Sequence, residues 1–415
     1  QRTTKQTEAL SKYFCEQVDE QGRKLHAALD EHKKKAPAAP ATTAAVLAEE
    51  PGVRKTFTHV RGNFLDKGTE VRATVPAVLH PLKPRAAQPD RLDLAQWLFA
   101  PENPLTARVS VNHVWKNLFG RGLVATVEDF GKQGEKPTHP ELLDWLAATF
   151  ATPATPQTPD AKPYPPSLGL GWSRKQLIRL IVTSATYRQS SVNRPELQER
   201  DPNNLLLARQ NRLRLEAETV RDAYLAASGL LNPKIGGPSI RPPLPADIAA
   251  LGYANSVKWA ESKGDEKNRR GLYIFFQRTV PYPMLMTFDA PDSNATCTRR
   301  ERSNTPLQAL TLLNDPVFFE CAQQLGARMA EVPTADAAER IRHGFERALA
   351  RPPSAEELSR LLKLYEAQLK LAQANAEGAA KIAGAAKPAP EVAEKATLVA
   401  LGRVMLNLDE FFTRD

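Results

Sequence analysis

The 415-residue chain is poor in cysteine: Cys15, Cys297 and Cys321 stand far apart, with no CxxC or CxxCH spacing. That excludes a c-type haem attached to this chain and a cysteine zinc site, so no cofactor is expected within it. An odd count leaves at least one thiol unpaired in an oxidising compartment. Cys297 with Cys321 is the one pair worth testing, while Cys321, in the apolar run VFFECAQQL, reads as a buried thiol. Long apolar runs are absent too, which excludes a membrane span. The 7 histidines include no HExxH or HxH spacing, and no metal is expected. No GxSxG surrounds Ser184 or Ser190, and Asp129-Phe130-Gly131 stands without a glycine-rich loop or an HRD, which leaves a serine hydrolase and a kinase unsupported. Aromatics are few at 7%, and none interleave with a basic stripe, so nucleic-acid binding is not expected.

Charge and proline are what the chain has in abundance. A net charge of +9 suits a polyanion, but basic composition alone speaks to solubility and loose association. Arginines that alternate with acids, as in LARQNRLRLEAETVRD, read as a solvated helix face. Proline, at 34 residues against 21 glycines, gathers in a few stretches and reads as stiff linkers between helical blocks. At 42% hydrophobic and 25% charged, the chain has room for two or three folded domains. It begins at Gln1 with no leader-like apolar segment, and so reads as a piece of a longer precursor.

Apolar spacing predicts helices almost throughout. A first block, Thr4 to Lys35, places Leu10, Phe14, Val18, Leu25 and Leu29 near the helical period, and APAAPATTAA follows as a linker. Thr56 to Leu79 has β-branched alternation around a turn at Asp66-Lys67-Gly68, a strand pair expected to pack on the helices. Helices are then expected at RLDLAQWLF and from Thr106 to the stop at Gly120. A capping box at Thr138-His139-Pro140-Glu141 should open another, and Ser173 to Gln176 a further one. Trp97, Trp115, Trp145 and Trp172 read as core anchors rather than sugar platforms. Pro153 to Leu170 is an exposed proline-rich insert. A long amphipathic helix is expected from Leu205 to Ala227, and an extended segment at 269 to 279. Ser354 to Glu357 forms a capping box, Ala376 to Pro390 reads as a linker, and the apolar C-terminal helix must dock on something. The fold class is therefore mainly α, a bundle-like multi-helix domain with a small β element and proline-rich linkers. Its divisions are 1–53 (helix and linker), 54–345 (main domain) and 346–415 (C-terminal helices).

Residues 288 to 315, FDAPDSNATCTRRERSNTPLQALTLLND, hold the densest polar cluster. Asn304 or Thr305 with Pro306 starts a helix, and Asp315 with Pro316 restarts it. Local structure leaves Asp289, Asp292, Arg299, Arg300 and Gln308 unexplained, and these are the candidate ligand-binding residues. Together with Arg302 and the helix start at Pro306, the arginines have the chemistry to hold a carboxylate, sulfate or phosphate. An ion-pair network pinning the loop to the helix explains the same residues equally well. Asp289 with Asp292 as an acid/base pair needs a separation that sequence does not supply, and aspartates around a proline are more often turn residues. His113 and His139, with Asp129 and Glu141 nearby, read as helix-surface or packing histidines. No catalytic residue is assigned, and whether the chain is an enzyme stays open.

The strings RLDLAQWLFAPENPLTARVSVNHVWKNLFGRGLVATVEDFGKQGEKPTHPELLDWLA, GWSRKQLIRLIVTSATYRQSS, RRGLYIFFQRTVPYPMLMTFDAPD, RRERSNTPLQALTLLNDPVF and LGRVMLNLDEFFTRD resemble the planctomycete-type PSCyt/PSD proteins, from about Arg54 to Asp415. The resemblance implies the C-terminal domain of unknown function of a cytochrome c-associated, multidomain, exported protein. By the same resemblance, any haem c belongs to a module upstream of Gln1, and the compartment is extracytoplasmic, periplasmic or cell surface. The family supplies no catalytic residues. Two functions follow as expectations. One is an accessory module that docks a protein partner, the upstream domains of its own precursor or an anionic ligand such as an acidic glycan. The other is an enzyme acting on acidic polysaccharide, with coupling to the upstream haem as one form of it.

Overall fold

The computed structural model describes residues 3–35, 46–48, 52, 54–153, 169–244, 259–277 and 280–414. The predicted linker at 36–45 and most of the insert at 153–170 lie outside them. The chain divides into two compact units, Gln1–Arg54 and Lys55–Asp415. In the first, helix α1 (Thr4–Tyr13) passes through a π turn at Phe14–Val18 into α2 (Glu20–Lys34). Thr3 opens α1 with a reciprocal capping box, and Asp19 caps α2. Leu10, Phe14, Val18, Leu25 and Leu29, which fall near helical spacing, are all exposed.

The second unit is helical, with two small sheets among its described residues. Strands β1 (Thr56–His59) and β2 (Lys67–Val71) pair antiparallel. Their connection is not the predicted Asp66-Lys67-Gly68 turn but the 3-10 turn Val60–Gly62 and the residues up to Asp66, closed by Val60 N–H donating to Asp66 O at 3.0 Å. Nor does the pair pack on the helices, since both strands are largely exposed. Thr58 and Thr69 satisfy each other across the ribbon instead, which holds it without a buried face.

A smaller core is built by α4 (Thr106–Phe119), α5 (Pro140–Ala151) and α6 (Arg174–Val182), preceded by α3 (Arg91–Leu98). Val111, Trp115, Phe119, Leu143, Leu146, Phe150, Leu177 and Ile181 fill it. Gly120 ends α4 at φ 84°, as its sequence predicts. Ser173 caps α6 through Gln176 N–H. The Thr138 box does not form: His139 is the N-cap and makes no side-chain cap bond, because Thr138 Oγ1 turns to Leu123 O. Trp145 is exposed rather than a core anchor, because the buried stripe of α5 runs through 143, 146, 147 and 150 and leaves 145 on the far side.

A short turn, α7 (Pro195–Gln198), and a two-residue strand, β3 (Leu213–Arg214), lead into α8 (Ala217–Ser228), the first helix of the larger core. The helix expected from Leu205 therefore starts twelve residues later, and Gly229 ends it in the left-handed region at φ 76°. Arg221 and Arg269, read as solvated charge and as part of an extended run, are buried. Arg221 donates to the carbonyls of Arg269 and Lys267, each at 2.7 Å, and Arg269 donates to those of Pro238, Lys234 and Gly236. Both thereby satisfy loop carbonyls that would otherwise be stranded. Residues 269–277 are extended apart from a 3-10 turn at Gly271–Tyr273, with Ile240 bridged to Ile274.

Helices α9 (Pro283–Thr287), α10 (Pro306–Asn314), α11 (Pro316–Ala330), α12 (Ala337–Leu349), α13 (Ala355–Ala374), α14 (Ala376–Ala383) and α15 (Pro390–Leu406) follow. Thr305 caps α10 with a full capping box, Ser354 does the same for α13, and Asp315 restarts the chain into α11. The apolar C-terminal helix α15 runs through the middle of this core, packed on α11, α13 and α14. Leu398, Val399, Leu401, Met405 and Leu406 on it are wholly buried. It approaches α11 closely because Gly326 faces Val399: a Cβ there would meet the Val399 nitrogen at 2.7 Å. Residues 376–383, predicted as linker, are helix α14, whose Ala379, Ala380 and Ala383 are small enough to lie flat on its neighbours.

A last turn, α16 (Asp409–Phe412), leads to β4 (Thr413–Arg414), which pairs with β3. Thus the chain end returns to the junction of the two cores, where Asn211 donates to Phe119 O at 2.8 Å. Among the described residues no helix is long and apolar enough to cross a membrane. Cys321 is in the larger core, and burial pushes its thiol up to about 12; Cys297 is exposed and not bonded to it.

Candidate functional site

The polar string at 288–308 splits into a buried base and an exposed loop. At the base, α9 ends and Asp289 takes φ 61°, a left-handed conformation that aspartate tolerates better than most residues. This turn aims its carboxylate at Ser303, which donates from its N–H at 2.7 Å and its hydroxyl at 2.8 Å. Two residues on, Thr305 opens α10, and the N3 position of its capping box is Gln308.

Gln308 is the hub. It is 1% exposed, and its Nε2 lies 2.9 Å from Thr287 O, 3.0 Å from Ser303 Oγ and 3.3 Å from an Asp289 oxygen. Its Oε1 accepts from Thr305 N–H at 3.2 Å and from Arg214. Arg214 comes from β3, lies between the rings of Phe288 and Phe412 at 5.3 and 5.2 Å, and also donates to Ser303 O at 2.7 Å. Burial lowers the pKa of its guanidinium, and Asp289 opposes that shift.

Arg300 reaches from the loop to the start of α8. Its two terminal nitrogens meet the two oxygens of Glu218 at 2.7 and 3.2 Å, and Glu216 lies 3.2 Å away. Glu216 is the N-cap of α8 and Glu218 is in its first turn, where the helix dipole favours both. The void enclosed by Arg214, Phe288, Asp289, Arg300, Arg302 and Gln308 measures about 10 Å³, room for a single water at most. As built, the base of the cluster is closed and its hydrogen bonds are satisfied within the protein, apart from Arg214 Nε.

Of the five sequence candidates, Asp289 and Gln308 are therefore bonded to each other, and Arg300 lines the same void while bonded to Glu218. Asp292 and Arg299 do neither. Asp292 is on the exposed loop and accepts from Asn294 N–H at 2.9 Å, and Arg299 is exposed with Glu301 at 3.4 Å. Asp289 accepts from Ser303 and Gln308, whereas Asp292 accepts from Asn294. His113 and His139 have no hydrogen bond or ion pair to the cluster: burial lowers the pKa of His113, with Lys116 and Arg174 adding to it, and His139 lies 3.0 Å from the Thr138 hydroxyl. Among the described residues no group of three or more His, Cys, Asp or Glu side chains is placed to hold a metal ion.

Sequence reasoning missed Arg214, Glu216, Glu218 and Ser303. A signal for the first did exist. In Arg212-Leu213-Arg214-Leu215 polar and apolar residues alternate with a period of two, which argues for a strand rather than for the helix expected there. Ser303 carried no signal, because its role depends on a turn fourteen residues earlier.

No curated protein and no solved structure matches the chain. Residues 90–365 match the model of the family PSD1, described as a protein of unknown function (DUF1553). That span holds the smaller core, both arms of the Arg214–Asp289–Gln308 knot and α8 to α12, and the chain belongs to this PSD1 family.

Proposed function

We propose that the chain is a non-catalytic, extracytoplasmic accessory module of a cytochrome c-associated multidomain protein, which docks a partner or an anionic ligand through the loop at 291–301. The closed base carries this reading. With a void of about 10 Å³, the Arg214–Asp289–Gln308 knot leaves no room for a substrate, and serves instead to anchor the loop that displays Asp292 and Arg299. The candidate ligand residues so divide into a lock (Asp289 and Gln308, with Arg300 beside it on Glu218) and a displayed edge (Asp292, Arg299). The rival, an enzyme acting on acidic polysaccharide, would need two carboxylates flanking a bond. Asp289 and Asp292 instead serve separate turns.

The test is the full-length precursor, with haem, against a panel of sulfated and carboxylated glycans and its own upstream domains, read for binding and for bond cleavage. Salt-sensitive binding without cleavage, weakened by Arg299→Gln with an unchanged melting temperature, is the expected result. Cleavage of a panel member would overturn it, and so would binding indifferent to Arg299→Gln.

A further inference from the structure

The β1–β2 ribbon has no buried face: every residue from Thr58 to Val71 is exposed, and within the pair only Phe57 is half-buried. A two-stranded ribbon of that kind is marginal in water. Its tip adds to the cost, because Phe64 is 70% exposed and Leu65 78%, with Val60 exposed in the same turn. Apolar side chains scattered singly over a surface need no explanation, but these stand together. The tip is also built. Arg61 at φ 50° and Gly62 at φ 80° turn the chain through the left-handed region. Asn63 N–H donates to Val60 O at 3.0 Å, Asp66 N–H to Asn63 O at 3.1 Å, and Leu65 N–H to Asn63 Oδ1 at 3.1 Å. The tip's own hydrogen bonds thus fix the display, without a partner.

Charge says what the tip meets. Arg61 stands in the tip and Lys67 opens β2 directly after it; among the described residues neither has an ion pair, and Lys67 lies over the Phe57 ring at 5.3 Å. Of the two carboxylates in the ribbon, Glu70 is taken by Lys55 at 3.3 Å, which leaves Asp66 alone against Arg61, Lys67 and Arg72. The occupant is therefore apolar where it meets Phe64 and Leu65, and anionic around them. Addition of a further strand is opposed by the edges, where the register shifts between Phe57 and His59 and lysines flank the pairing. A folded protein partner needs about 800 Å² from each side, more than a few side chains in one turn supply. A bilayer needs neither an edge nor a matching shape. It takes in phenylalanine and leucine wherever they are displayed, while its anionic headgroups draw the cations set just behind them.

We infer that the β1–β2 tip docks this protein reversibly on an anionic lipid surface. Phe64 and Leu65 enter the boundary between headgroups and acyl chains, and Arg61 and Lys67 pair with lipid phosphates. Two apolar side chains and a few charges give a weak, salt-sensitive association that lies on the surface and does not span it. This surface is separate from the loop at 291–301, and neither reading depends on the other.

The experiment floats the whole chain at low salt with vesicles of phosphatidylcholine alone and of phosphatidylcholine holding about 30% phosphatidylglycerol. Flotation with the second and not the first is expected, and raising the salt to about 0.5 M should release the chain. Phe64→Asp and Leu65→Asp should each weaken binding about tenfold or more, at an unchanged melting temperature because neither side chain is in a core. Phe64→Trp adds a fluorophore whose emission should move to shorter wavelength on the anionic vesicles, beyond any change in the parent chain. Absence of flotation with the anionic vesicles overturns the inference. So does flotation undiminished by Phe64→Asp, which would be the general attraction of a chain of net charge +9. Self-association in lipid-free sedimentation that Phe64→Asp abolishes would overturn it as well, and make the tip a contact between copies.

Discussion

Two neighbouring regions of this protein are made from the same residue types and have opposite electrostatic outcomes. In the lock, Arg214, Asp289, Ser303, Thr305 and Gln308 meet around a void of about 10 Å³, and nearly every donor has an acceptor. In an open groove of about 330 Å³ beside it, lined by Leu213, Glu216, Thr219, Arg302 and Arg414 among others, Arg302 reaches Glu216 only at 3.8 Å, and Lys116 nearby in α4 has no hydrogen bond or ion pair among the described residues. The difference teaches that a dense polar string does not mark a ligand site by its density. What distinguishes a lock from a site is whether the charges are already satisfied by the fold.

That comparison makes its largest claim at Gln308. Gln308→Leu keeps the volume and removes the hub, stranding Thr305 N–H and Thr287 O in a closed space, while the Arg214 nitrogen that served it keeps Ser303 O and Asn304. Unsatisfied buried groups cost ~1–3 kcal/mol each, so a loss on the order of 3 kcal/mol is expected, read as a fall in urea midpoint at unchanged slope. A loss below about 1 kcal/mol would show that water already serves these groups, and that the base is open.

Lys116→Met tests the other side, with a smaller effect of opposite sign. Lys116 is 6% exposed, its pKa is lowered by burial, and it has no hydrogen bond or ion pair among the described residues, so its replacement should leave stability unchanged or raise it by about 1 kcal/mol. A clear destabilisation would mean that Lys116 is part of the lock, and the contrast between the two regions would collapse.

The sequence announces the local half of this arrangement. Thr305-Pro306-Leu307-Gln308 is readable as a helix start, and Asp315-Pro316 as a restart, because capping and proline chemistry act over three or four residues. Mainly α character follows from helical spacing, and holds throughout the second unit. Lys116 and Arg214 were illegible as parts of one neighbourhood because nothing local brings α4, β3 and residue 302 together. That meeting is decided when α15 is buried in the larger core and its end, β4, pairs with β3. Trp145 and the run at 376–383 were misread for a related reason. Tryptophan and alanine take their place from the face or gap that tertiary packing offers, which their own spacing does not specify.

A third polar cluster supplies a control of the lock type in a wetter setting, and the smallest expected effect. Arg351 bridges Glu357, at the start of α13, and Glu410 in the last turn, with contacts of 2.8 and 2.6 Å. The Arg351 guanidinium and the Ser354 N–H hold the Glu357 carboxyl down at about 2. Because its folded value is depressed, the stability it contributes is complete above the ordinary glutamate value of about 4.5 and is lost as pH falls through the interval from there to about 2. All three side chains are more than a third exposed, so screening holds the contribution below about 1 kcal/mol. Glu357→Gln should therefore flatten the acid limb of a stability–pH curve between those values, by less than Gln308→Leu costs at neutral pH. Salt should erode the Glu357 contribution and leave the Gln308 one nearly untouched, since only the first is exposed to the screening ions. If salt weakened both alike, the base of the 288–308 string would be solvated, and the distinction between lock and groove would fail at its root.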